Sequence, residues 1–325
     1  RAELRDRVAT NASLRPFFQP SSVAIVGASR SSANIGHRIL NAIVAAGFKG
    51  SVYPVNPNTD TLLKLKCYPA VNALPEIPEL VVIAVPVDAV DSVIDDCAAR
   101  GTRAVIVITA GYAETGTEGR ERQQRLVEKI RGYGMRMIGP NCLGLINTDP
   151  RISLNASFAP VFPPAGNLAF SSQSGALGLA VISRARERRL GLASFVSVGN
   201  KADVSGNDLL QYWEEDVRTK VILLYLESFG NPRRFGRIAK RIGRNKPIIA
   251  VKSGRTGAGR RAAGSHTAAL AADDVATEAL FHQTGVIRAE SLGEMFDLAA
   301  ALSSEPLPKG RRVAVLTNAG GLGIL

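Results

Sequence analysis

From Ser22 onward, short apolar runs alternate with longer amphipathic stretches. The runs are SVAIVG (22–27), SVYPV (51–55), LVVIAV (80–85), RAVIVIT (103–109) and MRMIG (135–139). Each is too short for a helix and lacks polar alternation, which marks strands buried on both faces of a parallel sheet. Between them HRILNAIVAAG reads as a helix closed by Gly47, and DAVDSVIDDCAARG as a helix with Asp88 at its N-cap. EGRERQQRLVEKIRGYG is a charged surface helix, and the second run breaks at Pro54 and Pro57. Strand and helix in turn predict an α/β doubly wound parallel sheet. Residues 1–20, with Leu4, Val8 and Leu14 loosely periodic and Pro16 and Pro20 as punctuation, read as a short amphipathic helix or a linker.

A proline-rich bridge over 149–164 separates this series from a second. NLAFSSQSGALG is strand, serine turn and helix, and LASFVSVGNKADVSGNDLLQYW repeats the pattern. VILLYLESFGNP and KPIIAVKSGRTG add two strands, and helices are expected over 267–281 and 291–302. The alternation predicts a flavodoxin-like sheet. PLPKGRR then reads as a linker, and RVAVLTNAGG as the first strand of a further unit. The expected organisation is a linker (1–20), two α/β domains (21–149 and 150–305) and the opening of a third (306–325). The chain is therefore expected to be a fragment at both ends.

Composition narrows the classes. Hydrophobic content of 46% and charged content of 21% suit an ordinary globular protein. No apolar run reaches the roughly 18 residues of a membrane span. RAELRDRVAT lacks the apolar stretch of a secretion signal, and Cys67, Cys97 and Cys142 have neither disulfide nor metal spacing. A reducing cytoplasm is expected, with no membrane and no metal site. Net charge is +12, but aromatics are only 6% and no basic run is interleaved with rings, which disfavours a nucleic-acid platform. An acidic small ligand and a merely arginine-rich surface both remain open.

Ligands of open parallel sheets bind outside the carboxyl ends of the strands. In the first unit those exits are GASRSSANIG (27–36), PVNPN (54–58), VPVD (85–88), TAGYAETG (109–116) and GPNCLG (139–144). A dinucleotide fingerprint needs Gly-x-Gly-x-x-Gly and an acidic residue closing the second strand. Here Gly27 is followed by Ala28, Ser29 and Arg30, the next glycine is Gly36, and the second strand ends in Val55-Asn56-Pro57. Hydride chemistry is disfavoured. A small serine-rich loop before a helix still suits a phosphate-bearing ligand, to which Arg30 and Arg38 add charge unless they are plain surface arginines.

In the second unit, Ser172-Gln173-Ser174-Gly175-Ala176 lies between strand and helix. Amides and hydroxyls there would cradle a tetrahedral anion; a simple N-cap by Ser174 is the alternative. Glu227 ends the apolar run VILLYLE, where a buried carboxylate needs a partner: a histidine, or a neighbouring arginine or lysine. His266 sits in KSGRTGAGRRAAGSHTAAL (252–270), among glycine, alanine and serine, where a loop could move and present its imidazole. Loop histidines are as often merely exposed. His37 and His282 read as helix-surface or packing residues.

Taken together, SVAIVGAS, YPVNP, GPNCLG, SSQSGALG, SVGNKAD, YLES and GSHT, in this order from Ser22 onward, resemble the NDP-forming acyl-CoA synthetases, which include the succinyl-CoA synthetase alpha subunit. The resemblance implies a Rossmann-like CoA-binding domain. CoA would lie along Gly27, Ala28, Ser29, Arg30, Ile35, Gly36, Val55, Asn56, Pro57, Val85, Pro86, Thr109, Ala110, Gly111, Asn141 and Cys142. It implies a ligase domain in which Ser172, Gln173, Ser174, Gly175, Ala176, Gly264 and Ser265 hold phosphate or acyl phosphate. His266 matches the transiently phosphorylated histidine and Glu227 the glutamate that orients it. Acyl-CoA, ADP and phosphate would interconvert with acid, CoA and ATP. The nucleotide and Mg2+ would sit in an ATP-grasp domain or subunit outside this chain, and an oligomer is implied. Ala268-Ala269 stands where many relatives carry a glycine. Some relatives are fused to a protein acetyltransferase and sense CoA or acyl-CoA, which is the alternative function.

Overall fold

A computed structural model describes residues 2–253, 274–306, 310–312 and 314–318. The first sheet contains β1 (Ser22–Val26), β2 (Ser51–Val55), β5 (Leu80–Ile83), β6 (Ala104–Val107) and β7 (Arg136–Ile138). Their order is β2-β1-β5-β6-β7, and every pairing is parallel. β1, β5 and β6 are buried along their whole length, so each reads as an unbroken apolar run. β2 lies at the edge, the position that tolerates Pro54 inside a strand. β3 (Thr61–Leu62) and β4 (Leu65–Lys66) form a small hairpin beside it.

α2 (Ile35–Ala46), α3 (Val87–Arg100) and α4 (Thr117–Gly132) connect the strands. α2 is capped by Asn34, which accepts from the Gly36 amide, and closed by Gly47 in the left-handed region at φ 72°. The expected N-cap of α3 is corrected: the helix begins at Val87 after Pro86, and Asp88 falls within its first turn. There the carboxylate still complements the helix dipole.

The second sheet has the order β14-β13-β12-β10-β11-β8-β9. Its parallel part is β10 (Ala165–Ser172), β11 (Leu192–Ser197), β12 (Val221–Leu226), β13 (Ile248–Lys252) and β14 (Ile287–Arg288). β8 (Gly144–Asn147) and β9 (Leu154–Ser157) extend it antiparallel. The helices are α5 (Gly175–Glu187), α6 (Gly206–Glu215), α7 (Pro232–Ile242), α8 (Asp274–Thr284) and α9 (Leu292–Ser304). Residues 267–273 of the expected helix lie outside the described residues.

Three sequence expectations are extended, decided or changed. Beyond the expected strand MRMIG and its exit GPNCLG, Gly144–Asn147 forms a further strand on the other sheet, because the chain turns through Gly139 at φ 98° and Asn141 at φ 55°. β8 therefore belongs to the second sheet although it precedes the expected boundary at 149. Residues 2–18, read as either a helix or a linker, are the helix α1 (Ala2–Phe18). Leu14, Phe17 and Phe18 are fully buried, and Phe18 stacks on Tyr212 of α6 at 4.0 Å. Residues 314–318 form no strand, and Leu316 is fully exposed, since a strand needs a neighbour to pair with.

One core joins the two sheets. It runs from Ile39 and Ile43 on α2 through Leu154 on β9 to Trp213 on α6 and Ile222 on β12. Backbone bonds cross as well, from Lys49 to the Ile152 carbonyl at 3.1 Å and from Val204 to the Met137 carbonyl at 3.0 Å.

Candidate functional site

In each sheet the second strand lies on one side of the first and the remaining parallel strands on the other: β2 against β5 around β1, and β11 against β12 around β10. Such a reversal opens a crevice at the strand exits. The two crevices share one cavity of about 550 Å³. Ile35, Val85, Thr109, Ala110, Asn141 and Cys142 line it from the first sheet's loops, and Gln173, Ser174, Gly175 and Ala176 from the β10–α5 turn. These ten expected site residues are brought together. Leu143, Phe158, Leu179, Gly199 and Asn200 also line it and were not expected. Leu143, Phe158 and Leu179 give no chemical signal in sequence, because they contribute only shape.

Close packing explains the first loop. A Cβ at Gly36 would stand 2.1 Å from the Gly27 carbonyl oxygen, and one at Gly27, φ 92°, 2.3 Å from that of Ala84. The first turn of α2 thus rests directly on the exit of β1, with no further glycine needed. Asn56 donates from Nδ2 to the Ala28 carbonyl at 2.6 Å, and His37 donates from Nδ1 to the Ser29 carbonyl at 2.7 Å. Thr109 donates to the Val85 carbonyl at 2.6 Å, tying the β5 and β6 exits.

Several expected residues stand outside the cavity lining. Ala28 and Val55 are buried in the core, Arg30 and Pro57 are exposed, and Gly27, Ser29, Gly36, Asn56, Pro86 and Gly111 stand at the strand exits around it. Arg38 donates to the Phe158 carbonyl at 2.9 Å and lies 5.3 Å over its ring, so it is engaged with the inter-sheet bridge. Burial pushes the Cys142 thiol up to about 12, which leaves it an apolar wall and not a nucleophile.

The serine turn is internally braced. Ser172 Oγ donates to the Ser174 carbonyl at 2.7 Å and accepts from the Ser174 amide at 3.1 Å. Ser174 caps α5 by accepting from Leu177 N at 3.4 Å. Its N-cap role and an anion cradle are compatible, because the amides of Gly175 and Ala176, in the first turn, have no partner within the helix and both residues line the cavity. Gln173 bonds the exit of β12: Oε1 accepts from the amides of Glu227 and Ser228, both at 2.9 Å, and Nε2 donates to the Ser228 carbonyl at 2.7 Å.

Glu227 is thereby fixed at its backbone, yet its Oε2 is buried with no hydrogen-bond partner among the described residues. Two lysines surround it electrostatically, the neighbours raised as an alternative to a histidine. Burial lowers Lys201 to about 8, against a partial offset from the Glu227 charge, and burial likewise lowers Lys252. Lys201 Nζ donates to the Ser228 carbonyl at 2.8 Å and to its hydroxyl. Lys252 Nζ donates to the Ser253 carbonyl at 2.7 Å. Nothing in SVGNKAD marks Lys201 as a site residue by sequence alone. His266, Gly264 and Ser265 lie outside the described residues.

The β11–α6 loop holds the two halves together. Asn200 Nδ2 donates to Glu114 Oε2 at 2.5 Å and to Gln123 Oε1 at 2.9 Å, both on the first domain. Burial raises the Glu114 carboxyl, but bonds from Asn200 and from the amides of Gly111 and Tyr112 outweigh it and hold the group below its usual range. Among the described residues no group of three His, Cys, Asp or Glu side chains could hold a metal, and no helix is long and apolar enough to cross a membrane.

Comparison with known proteins gives this geometry a context. Residues 21–148 match a CoA binding domain, and residues 165–302 a succinyl-CoA ligase like flavodoxin domain. The chain is 42% identical over 317 residues to the alpha subunit of acetate–CoA ligase [ADP-forming] I of Pyrococcus furiosus, covering 96% of this chain and 68% of the relative. It is 42% identical over 312 residues to acetate–CoA ligase [ADP-forming] of Methanocaldococcus jannaschii, covering 96% of this chain and 43% of that one. The structure of Ca. Korarchaeum cryptofilum dinucleotide forming acetyl-coenzyme A synthetase 1, in complex with phosphate and ADP, superposes with a TM-score of 0.92 at 45% identity. That match covers 96% of this chain and 67% of the other. The chain thus spans 68% of one relative and 43% of the other. With both domains matched in order and the serine turn and the first sheet's strand exits lining one cavity, the chain belongs to the NDP-forming acyl-CoA synthetases.

Proposed function

We propose that this chain is the CoA-binding and acyl-phosphate-handling part of an ADP-forming acyl-CoA synthetase acting on a small carboxylic acid. The observation that carries the proposal is the single cavity into which both strand-exit crevices open, with the α5 N-terminus on its wall. A thioester delivered along the first sheet's exits would meet phosphate held at that helix start, where amides favour an anion.

A phosphate oxygen attacks the thioester carbonyl carbon, the C–S bond breaks, and CoA leaves as thiolate and takes a proton. The acyl phosphate then loses its phosphoryl group to a histidine nitrogen: a P–N bond forms, the P–O bond to the acyl oxygen breaks, and the carboxylate departs. The P–N bond finally breaks as an ADP oxygen takes the phosphoryl group to give ATP. His266 is the proposed carrier, and Glu227, with its unpartnered carboxylate oxygen, the group that accepts the proton-bearing ring nitrogen. The Gly175 and Ala176 amides stabilise charge on the transferring group, the main demand of phosphoryl transfer. An ATP-grasp domain or subunit binds the nucleotide with Mg2+.

The test uses the intact enzyme with its nucleotide-binding part, supplied with acyl-CoA, phosphate and ADP. ATP is expected to form, and His266→Ala to abolish both ATP and a phosphorylated enzyme intermediate. An intact enzyme that forms no ATP, or a variant that forms it at the wild-type rate, would contradict the proposal.

A further inference from the structure

The exits of β10, β11 and β12 converge on one carbonyl. Ser228 O accepts from Gln173 Nε2 at 2.7 Å and from Lys201 Nζ at 2.8 Å, and Ser228 Oγ is a second acceptor for the same ammonium. Lys201 reaches this point from a residue in the left-handed region, φ 46°, a conformation that a lysine seldom adopts and that its surroundings must hold. They do: Gly199 is pressed against the Pro140 and Asn141 carbonyls, Asn200 is bonded to Glu114 and Gln123, and the Ala202 amide donates to the Gly139 carbonyl at 3.1 Å. A strained, half-buried lysine held on both sides is over-determined for a surface residue.

The charged groups facing Lys201 among the described residues are Glu227, at the exit of β12, and Lys252, at the end of β13. Glu227 keeps one buried carboxylate oxygen unbonded, and Lys252 is 4% exposed. Taking a carboxylate out of water is costly unless a neighbouring cation offsets the loss.

Resting on the function proposed above, we propose that Lys201 is a positioning residue for the phosphoryl-transfer step. Its ammonium, anchored on Ser228, fixes the exit of β12 and holds Glu227 with one carboxylate oxygen free for the group it orients. Lys201 touches neither substrate nor phosphate and acts through Glu227. Lys252 supplies a second positive charge on the other side, so the trio carries one net positive charge when all three are ionised. That surplus favours the arrival of a phosphoryl dianion.

The experiment compares wild type, Lys201→Met and Lys201→Arg in the intact enzyme, following ATP formation from acyl-CoA, phosphate and ADP against pH. Loss of a charge-assisted bond predicts a fall in kcat for Lys201→Met of roughly ten- to a hundredfold, with KM for the CoA thioester nearly unchanged. Wild-type kcat is expected to decline as the pH passes about 8, where the lysine loses its proton. Lys201→Arg restores most of the rate and abolishes that decline, because a guanidinium stays charged. Equal losses in both variants with the alkaline decline intact overturn the inference and leave only a packing role. If wild type forms ATP and phosphoenzyme while Lys201→Met matches it, the inference alone falls. If wild type forms neither, the function on which it rests falls with it.

Discussion

Gln173 is 8% exposed, and its amide answers two backbone amides and one carbonyl at the exit of β12. Replacing it with alanine leaves the Glu227 and Ser228 amides without their acceptor. Buried groups so orphaned cost about 1–3 kcal/mol each when water does not replace the partner. Gln173→Ala is expected to lower Tm by several degrees and to weaken ATP formation in the intact enzyme; an unchanged Tm would show the clamp to be idle. The turn SSQSG was legible from its serines and its place between strand and helix. The division of labour inside it was not. Ser172 proves to brace the turn, and Gln173 to hold the Glu227 backbone, because those roles depend on which neighbouring strand exits arrive. Lys201 shows the same limit more sharply. In a sequence it is one of many lysines, and only the meeting of three strand exits half-buries it and gives it the Ser228 carbonyl.

The helices and strands were largely legible because their periods differ and their runs are short. The failures have physical causes. MRMIGPNCLGLINT reads as one strand and its loop because its apolar residues continue past a turn, and the change of sheet is visible only in the partners, β6 for β7 and β11 for β8. α1 was doubtful because Leu4 and Val8 in its first half stay exposed and its large buried residues cluster near the C-terminal end at Leu14, Phe17 and Phe18. Close approach between elements gives a sharper test. A Cβ at Gly178 on α5 would stand 2.7 Å from the Phe195 ring and 3.1 Å from Leu143. Helix propensity alone favours alanine there by about 1 kcal/mol. Overpacking opposes it by about 1–3 kcal/mol. Gly178→Ala is expected to lower Tm; a raised Tm would mean that α5 shifts freely on β11.

At the scale of the molecule, the parallel strands of both sheets have the same order, the second strand lying outside the first and the third, fourth and fifth following on its other side. Each half was legible as an alternating α/β unit. That the two crevices face one another was not, because their orientation is set by contacts distant in sequence: α2 on β9, α1 on α6, and the β11–α6 loop on Glu114 and Gln123. The cavity between them is the central claim, and it carries a steric prediction. Ala110 is exposed at a strand exit and lines the cavity, so a large side chain there fills space without disturbing the core. The most direct measurement is calorimetric titration of CoA into this chain and into Ala110→Trp, with melting curves for both. Micromolar binding by the wild type, lost by about tenfold or more in a variant that melts at the same temperature, is the predicted result. No heat with the wild type, or equal affinity in both, would contradict the assignment of this cavity to CoA.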